Sequence, residues 1–246
     1  NLFSDFNLYI FMFKLTLIKN CLVLYLRMLL ILIINLYTSR LILKNLGVED
    51  YGVYNVVGGF VGMFNLMSNS LSNAISRFLT LSIGKNDIES LKKIFCTSVN
   101  IQIIFALFIS LLIETLGIWF LNHKLNIPIS RLCAANWILH LSLLTFVVGL
   151  ISVPYNALIV AHEKMKAFAY IGVFEVILKL CAAVSLTFIS CDKLIFWAVS
   201  LTIVSIIIRF IYGRYCSKNF IECKYHIFFE KKLLHEIGGF AGWSFI

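Results

Sequence analysis

The sequence predicts an all-α integral membrane protein, and three observations carry that reading. Hydrophobic residues make up 61% of the chain and charged residues only 13%, whereas an average soluble domain is about half apolar and about a quarter charged. Apolar runs long enough for a bilayer, which needs ~20 residues per helix, recur at 22–43, 54–78, 95–121, 132–153, 168–190 and 194–213. Neither proline falls inside a run: Pro128 and Pro154 lie just outside, where helices end. All-helical spans are favoured over a barrel, whose strands would be ~10 residues long and would alternate apolar with polar, a pattern not seen here.

The organisation follows. Residues 1–21 form an N-terminal segment, 22–213 hold six spans, 214–236 form a polar connection, and 237–246 start a seventh apolar run. The first segment is not a signal peptide, since it carries Asp5 and no small-residue cleavage site. The sequence starts Asn1-Leu2-Phe3 and stops inside the seventh run at Ile246, so the expectation is an N-terminal part of a longer protein, with Met12 an alternative start. Placing the N-terminus in the cytoplasm puts thirteen lysines and arginines inside and five outside, as the positive-inside rule requires. The net charge of +9 is then explained by basic loops against anionic headgroups, with no nucleic acid needed. Cys216, Cys223, His226 and His235 match no zinc spacing, and the cysteines suggest neither a metal nor a disulfide framework. No nucleotide loop, nucleophile–base set or paired carboxylates occur in a soluble segment, so neither an enzyme nor a cofactor is indicated.

The polar faces of the spans hold the functional information. In the second span Gly58, Gly62, Asn65, Asn69, Ser72 and Ser76 recur every three or four residues, which places them on one helical face. Phe60, Phe64, Met67 and Leu71 form the opposite face. Small residues at such spacing fit a packing seam. Two asparagines and two serines in line ask for more partners than a seam offers, which favours the lining of a wet cavity. The sixth span repeats the pattern with Ala198, Thr202, Ser205, Arg209 and Tyr212; Arg209 either joins that face or snorkels to the headgroups. Arg27 in the first span and Arg77 closing the second call for the same two readings.

Charge sits deepest in the fifth span. Glu175 and Lys179 are four residues apart on the face of Gly172, so their side chains are neighbours near mid-membrane. Such a pair either neutralises itself and clamps helices or turns a charge toward an aqueous path. The third span adds Glu114 beside Ser110 and Gly117, and the fourth adds His140 one turn from Asn136. A buried histidine of this kind is more often hydrogen-bonded scaffolding than a proton carrier.

The string "YLRMLLILIINLYTSRLILKNLGVEDYGVYNVVGGFVGMFNLMSNSLSNAISRFLTLSIGKND" resembles the start of bacterial O-antigen/polysaccharide flippases. These belong to the multidrug/oligosaccharidyl-lipid/polysaccharide (MATE-like) exporter superfamily. The resemblance continues through "AANWILHLSLLTFVVGLISVPYNALIVAHEKMKAFAYIGVFEVILKL" to "FAGWSFI", covering about residues 20–246. It implies a two-lobe transporter of 12 to 14 helices, of which 22–213 would be the first lobe. It also implies alternating-access flipping of an undecaprenyl-diphosphate-linked oligosaccharide across the cytoplasmic membrane. Membrane lipids and other polysaccharide-assembly membrane proteins are the implied partners.

The residues fit that implication as candidates. Arg27, Arg77, Lys179 and Arg209 would meet a diphosphate. Asn65, Asn69, Ser72, Ser76, Thr202 and Ser205 would line the cavity, and Glu114, Glu175 and His140 would couple an ion or proton. Two alternatives stand beside it: a drug or cation antiporter of the same superfamily, and a membrane-embedded polysaccharide polymerase or acyltransferase.

Overall fold

The computed structural model describes residues 2–123, 128 and 131–223, with side chains from Leu22 onward except Met67 and Asn122. Every element among the described residues is helical, because a backbone in hydrocarbon must satisfy its own polar groups. α1 spans Leu2–Gly62, α2 Asn65–Gly84, α3 Ile88–Leu112, α4 Ile118–His123, α5 Leu132–Ala161, α6 Met165–Ser185 and α7 Lys193–Asn219. A π-helical turn, Ile113–Gly117, joins α3 to α4, and a 3₁₀ turn, Ile221–Cys223, follows α7. Five stretches are long and apolar enough to cross a membrane: Leu22–Gly62, Ile88–Leu121, Leu132–Ala161, Met165–Ser185 and Lys193–Asn219. The all-α, multi-pass class read from the sequence is the one observed.

Three expected details differ. The span over 54–78 is not one helix: its first part closes α1, Met63 and Phe64 form a turn, and the rest lies in α2. α1 carries the first span straight into the second, interrupted at Gly47 (φ 82°, ψ 171°), a conformation that glycine adopts without a Cβ clash. Pro154 lies inside α5 rather than beyond it. Its missing N–H takes the helical donor from the Leu150 carbonyl, a loss that packed membrane helices tolerate. α7 runs six residues past the boundary expected at Gly213, to Asn219. Residues 224–246, including His226, His235, most of the expected connection and the seventh run, lie outside the described residues.

The apolar faces meet in two large clusters, one at each end of the bundle. At the first end Leu79 of α2, Phe95 of α3, Leu158 of α5, Ile171 of α6 and Ile208 of α7 pack together. At the second end Val57 of α1, Ile109 of α3, Ile138 of α5 and Ala198 of α7 do so. A smaller cluster sets Ile42 of α1 against Ala183 of α6 and Trp197 of α7. Lipid tails are as apolar as leucine, so close packing rather than water exclusion holds these helices together. The outward faces stay apolar: Tyr25, Met28, Leu32 and Leu36 of α1 are all more than half exposed.

Polar ties fix the ends. At the first end, where Lys85, Lys164 and Lys218 also lie, buried Glu222 bonds the imidazole of His162, whose ring stacks on Phe220 at 4.3 Å. Hydrogen bonding with Cys216 and burial push the Cys223 thiol well up, so it stays protonated and inert. At the second end Arg131 bridges Asp50 (2.9 Å) and Asp192 (3.1 Å), joining α1 just past Gly47 to the starts of α5 and α7. Asp192 also caps α7 by accepting from the Leu194 N–H at 3.1 Å.

Candidate functional site: a polar cavity at mid-bundle

A cavity of about 530 Å³ opens between the two clusters. The end of α1 supplies Tyr54, Asn55, Gly58, Gly59 and Gly62, and α2 adds Asn65, Ser68 and Asn69. Its other walls are Ser142, Thr145 and Gly149 of α5, Glu175 and Lys179 of α6, and Leu201 and Ser205 of α7. The lining is mostly amide, hydroxyl and glycine, so it offers donors and acceptors with little fixed charge.

The glycines decide between seam and cavity. A Cβ at Gly58 or Gly59 would meet nothing within 4 Å, and one at Gly62 only the Asn65 amide at 3.9 Å. They face open space, so this stripe is a cavity wall. Of the polar candidates, Asn65, Asn69 and Ser205 line this cavity. Ser72 and Ser76 continue down α2 beyond the cavity, half-buried. Thr202 is buried behind the wall, where it bonds the Thr145 hydroxyl at 3.0 Å and the Ala198 carbonyl at 3.0 Å. It braces α7 on α5.

Lys179 Nζ donates to Glu175 Oε1 at 2.6 Å, and each side chain is about one-third exposed, to the cavity they both line. The pair is self-neutralising and wet at once. Partial hydration lowers the cost of holding two charges this deep. Glu114 and His140 do not reach the cavity; they pair with each other at 2.9 Å across the π-helical turn and α5. The wider turn of the π segment carries Glu114 there, while Gly117 packs tightly against Phe60 and Leu139.

Two arginines lie outside the cavity in matching seats. The Arg27 guanidinium stacks on the Phe168 ring at 4.1 Å and lies against Gly172 of α6. That of Arg209 stacks on the Tyr155 ring at 3.9 Å beside Gly213. Among the described residues neither has a carboxylate within ion-pair distance, and Arg27 Nε is buried without a hydrogen-bond partner. Arg77 is exposed on α2, away from the cavity.

Gly172 is therefore a slot. A Cβ there would lie 2.7 Å from Nε and Nη2 of Arg27. Gly172→Ala is expected to push the guanidinium off Phe168 and to cost about 1 kcal/mol, the worth of a desolvated cation–π contact. Thermal unfolding checks this: the loss should vanish on an Arg27→Ala background, and an equal loss in both backgrounds contradicts the slot.

Several lining groups escaped the sequence reading, Asn55, Ser142, Thr145 and Gly149 among them. Asn55 sits three residues before Gly58 on the same face, and Ser142, Thr145 and Gly149 step by three and four along α5. Both patterns are periodic and could have been found; neither contains a charge to draw the eye.

No family model matches the sequence, and no curated protein matches it. Solved structures do match by fold. One is an outward-facing multidrug resistance MATE family transporter of the MOP superfamily, with TM-score 0.75, 12% identity and 94% of this chain covered. Another is a MOP superfamily transporter from Pyrococcus furiosus, with TM-score 0.73, 13% identity and 94% covered; reverse polarity of its binding pocket was taken to suggest a different function. In both cases the chain spans 51% of the neighbour's length. The chain therefore has the fold of about half of a MOP-superfamily transporter.

Proposed function

We propose that the chain is the six-helix N-terminal lobe of a bacterial flippase. It carries a polyprenyl-diphosphate-linked oligosaccharide from the inner to the outer leaflet of the cytoplasmic membrane, with its first, basic end in the cytoplasm. The supporting observation is how the charges sort. Glu175 and Lys179 cancel within the cavity and Glu114 is paired with His140, whereas among the described residues Arg27 and Arg209 have no carboxylate within ion-pair distance and sit on aromatic rings instead. Among the described residues the unpaired intramembrane charge is therefore cationic, which suits a diphosphate crossing hydrocarbon. The amide and hydroxyl lining suits sugar hydroxyls, and the prenyl tail stays in the bilayer.

A second reading has its own observation. Glu175 puts a carboxylate on the cavity wall, as a drug or cation antiporter needs, and one fold neighbour is a multidrug transporter. Complementation separates the two. The complete protein is expected to restore surface polysaccharide export to a flippase-deficient strain. Resistance to cationic drugs without restored export would replace the first reading with the second.

A further inference from the structure

Each chain segment that runs from one large apolar cluster to the other becomes polar or broken on the way. On α3, Gln102 falls between Val99 of the first cluster and Ala106 of the second. It is fully buried, and neither Nε2 nor Oε1 has a hydrogen-bond partner. On α5, Ser152 and Pro154 fall between Leu150 and Ala157. On α7, Thr202 falls between Ala198 and Val204; α6 runs from the first cluster to the smaller one, and its charged pair falls between Ile171 and Ala183. Between Val61 and Leu71 the helix itself stops at Met63–Phe64. The two clusters are thus joined through a polar level, or waist, beside the cavity, although unpartnered buried hydroxyls also occur within the first, at Thr97 and Ser98.

Backbone hydrogen bonding is also interrupted at this level. The Phe64 N–H bonds Val61 O, three residues back, at 3.2 Å, and the Phe64 side chain cannot cap α2. Pro154 gives α5 no N–H at all. Gly58, Gly59 and Gly62 lead into the break, where their flexibility cannot be explained by close packing, since a Cβ would meet open space. A buried amide with no partner is unfavourable, and an apolar residue at 102 would avoid it. All these features coincide in register on separate segments, although continuous apolar helices would be the more stable choice at each.

We propose that the bundle is not one rigid body: its two halves bend against each other at this waist, hinged at Met63–Phe64 and at Pro154, so that bending changes the width of the cavity. Apolar clusters move as units, and unpaired groups such as Gln102 exchange partners as the halves shift. The motion does not depend on which substrate the cavity takes.

Pulsed electron–electron distance measurements test it on the full chain in lipid nanodiscs, with native cysteines replaced. One spin-label pair, at Val56 and Leu81, crosses the waist; a control pair, at Leu81 and Phe210, stays within the first half. All three sites are exposed and lie away from the cavity wall. The cross-waist distribution is expected to be about twofold wider than the control. It is expected to narrow to the control width in the Gly58→Ala/Gly59→Ala/Gly62→Ala variant, whose unfolding temperature is at or above the parent's. A cross-waist distribution as narrow as the control, or one that the alanines leave unchanged, overturns the hinge.

Discussion

Lys179→Leu is expected to destabilise the protein by about 2 kcal/mol. Removing one member of a fully buried ion pair costs about 3–5 kcal/mol, because the other charge is stranded. Here each partner is about one-third exposed to the cavity, so hydration recovers part of that cost. The double variant Glu175→Gln/Lys179→Gln, which strands nothing, should unfold near the native temperature. Thermal unfolding of the two variants therefore separates pairing from packing. If Lys179→Leu unfolds like the native protein, the pair contributes nothing and Lys179 is a solvated surface charge.

Arg131→Ala is expected to cost about 2–3 kcal/mol, concentrated at the second end. Asp50 is only 11% exposed at its side chain and loses its 2.9 Å partner, while Asp192 keeps the Leu194 N–H that it caps. The guanidinium fork reaches two carboxylates on different helices at once, a geometry that an ammonium reproduces poorly. Arg131→Lys should therefore recover only part of the loss. Hydrogen exchange localises the effect: amides around Gly47 and the start of α7 should lose protection, while those near Leu79 and Phe95 keep theirs. Uniform loss across both clusters would contradict a local clamp.

Much of this architecture is legible in local sequence. Apolar runs gave the helices, because hydrocarbon length is a one-dimensional constraint. The Glu175–Lys179 contact follows from four-residue spacing alone. What the sequence hides is pairing between segments. Nothing local to Arg27 says that it will seat on Phe168 and Gly172, 141 and 145 residues later. Thr202 carries the same helical pattern as Ser205, yet one meets Thr145 behind the wall and the other meets the cavity. That difference is set by how α5 and α7 are rotated against each other. The break at Met63–Phe64 carries no proline; its only local signal is the run of glycines before it. Pro154 misleads in the opposite sense, because the helix rule that stops at proline is a rule for water, where no neighbouring helix makes up the lost bond.

Reconstitution tests the central claim most directly. The complete protein in proteoliposomes, given a fluorescent polyprenyl-diphosphate oligosaccharide in one leaflet, should speed its appearance in the other leaflet well beyond protein-free vesicles. Arg27→Ala/Arg209→Ala should reduce that rate by at least about tenfold at an equal amount of folded protein, since each guanidinium–phosphate contact is a charge-assisted hydrogen bond. Vesicles in which the lipid crosses no faster than without protein, while a lipophilic cation is exported, would contradict the account.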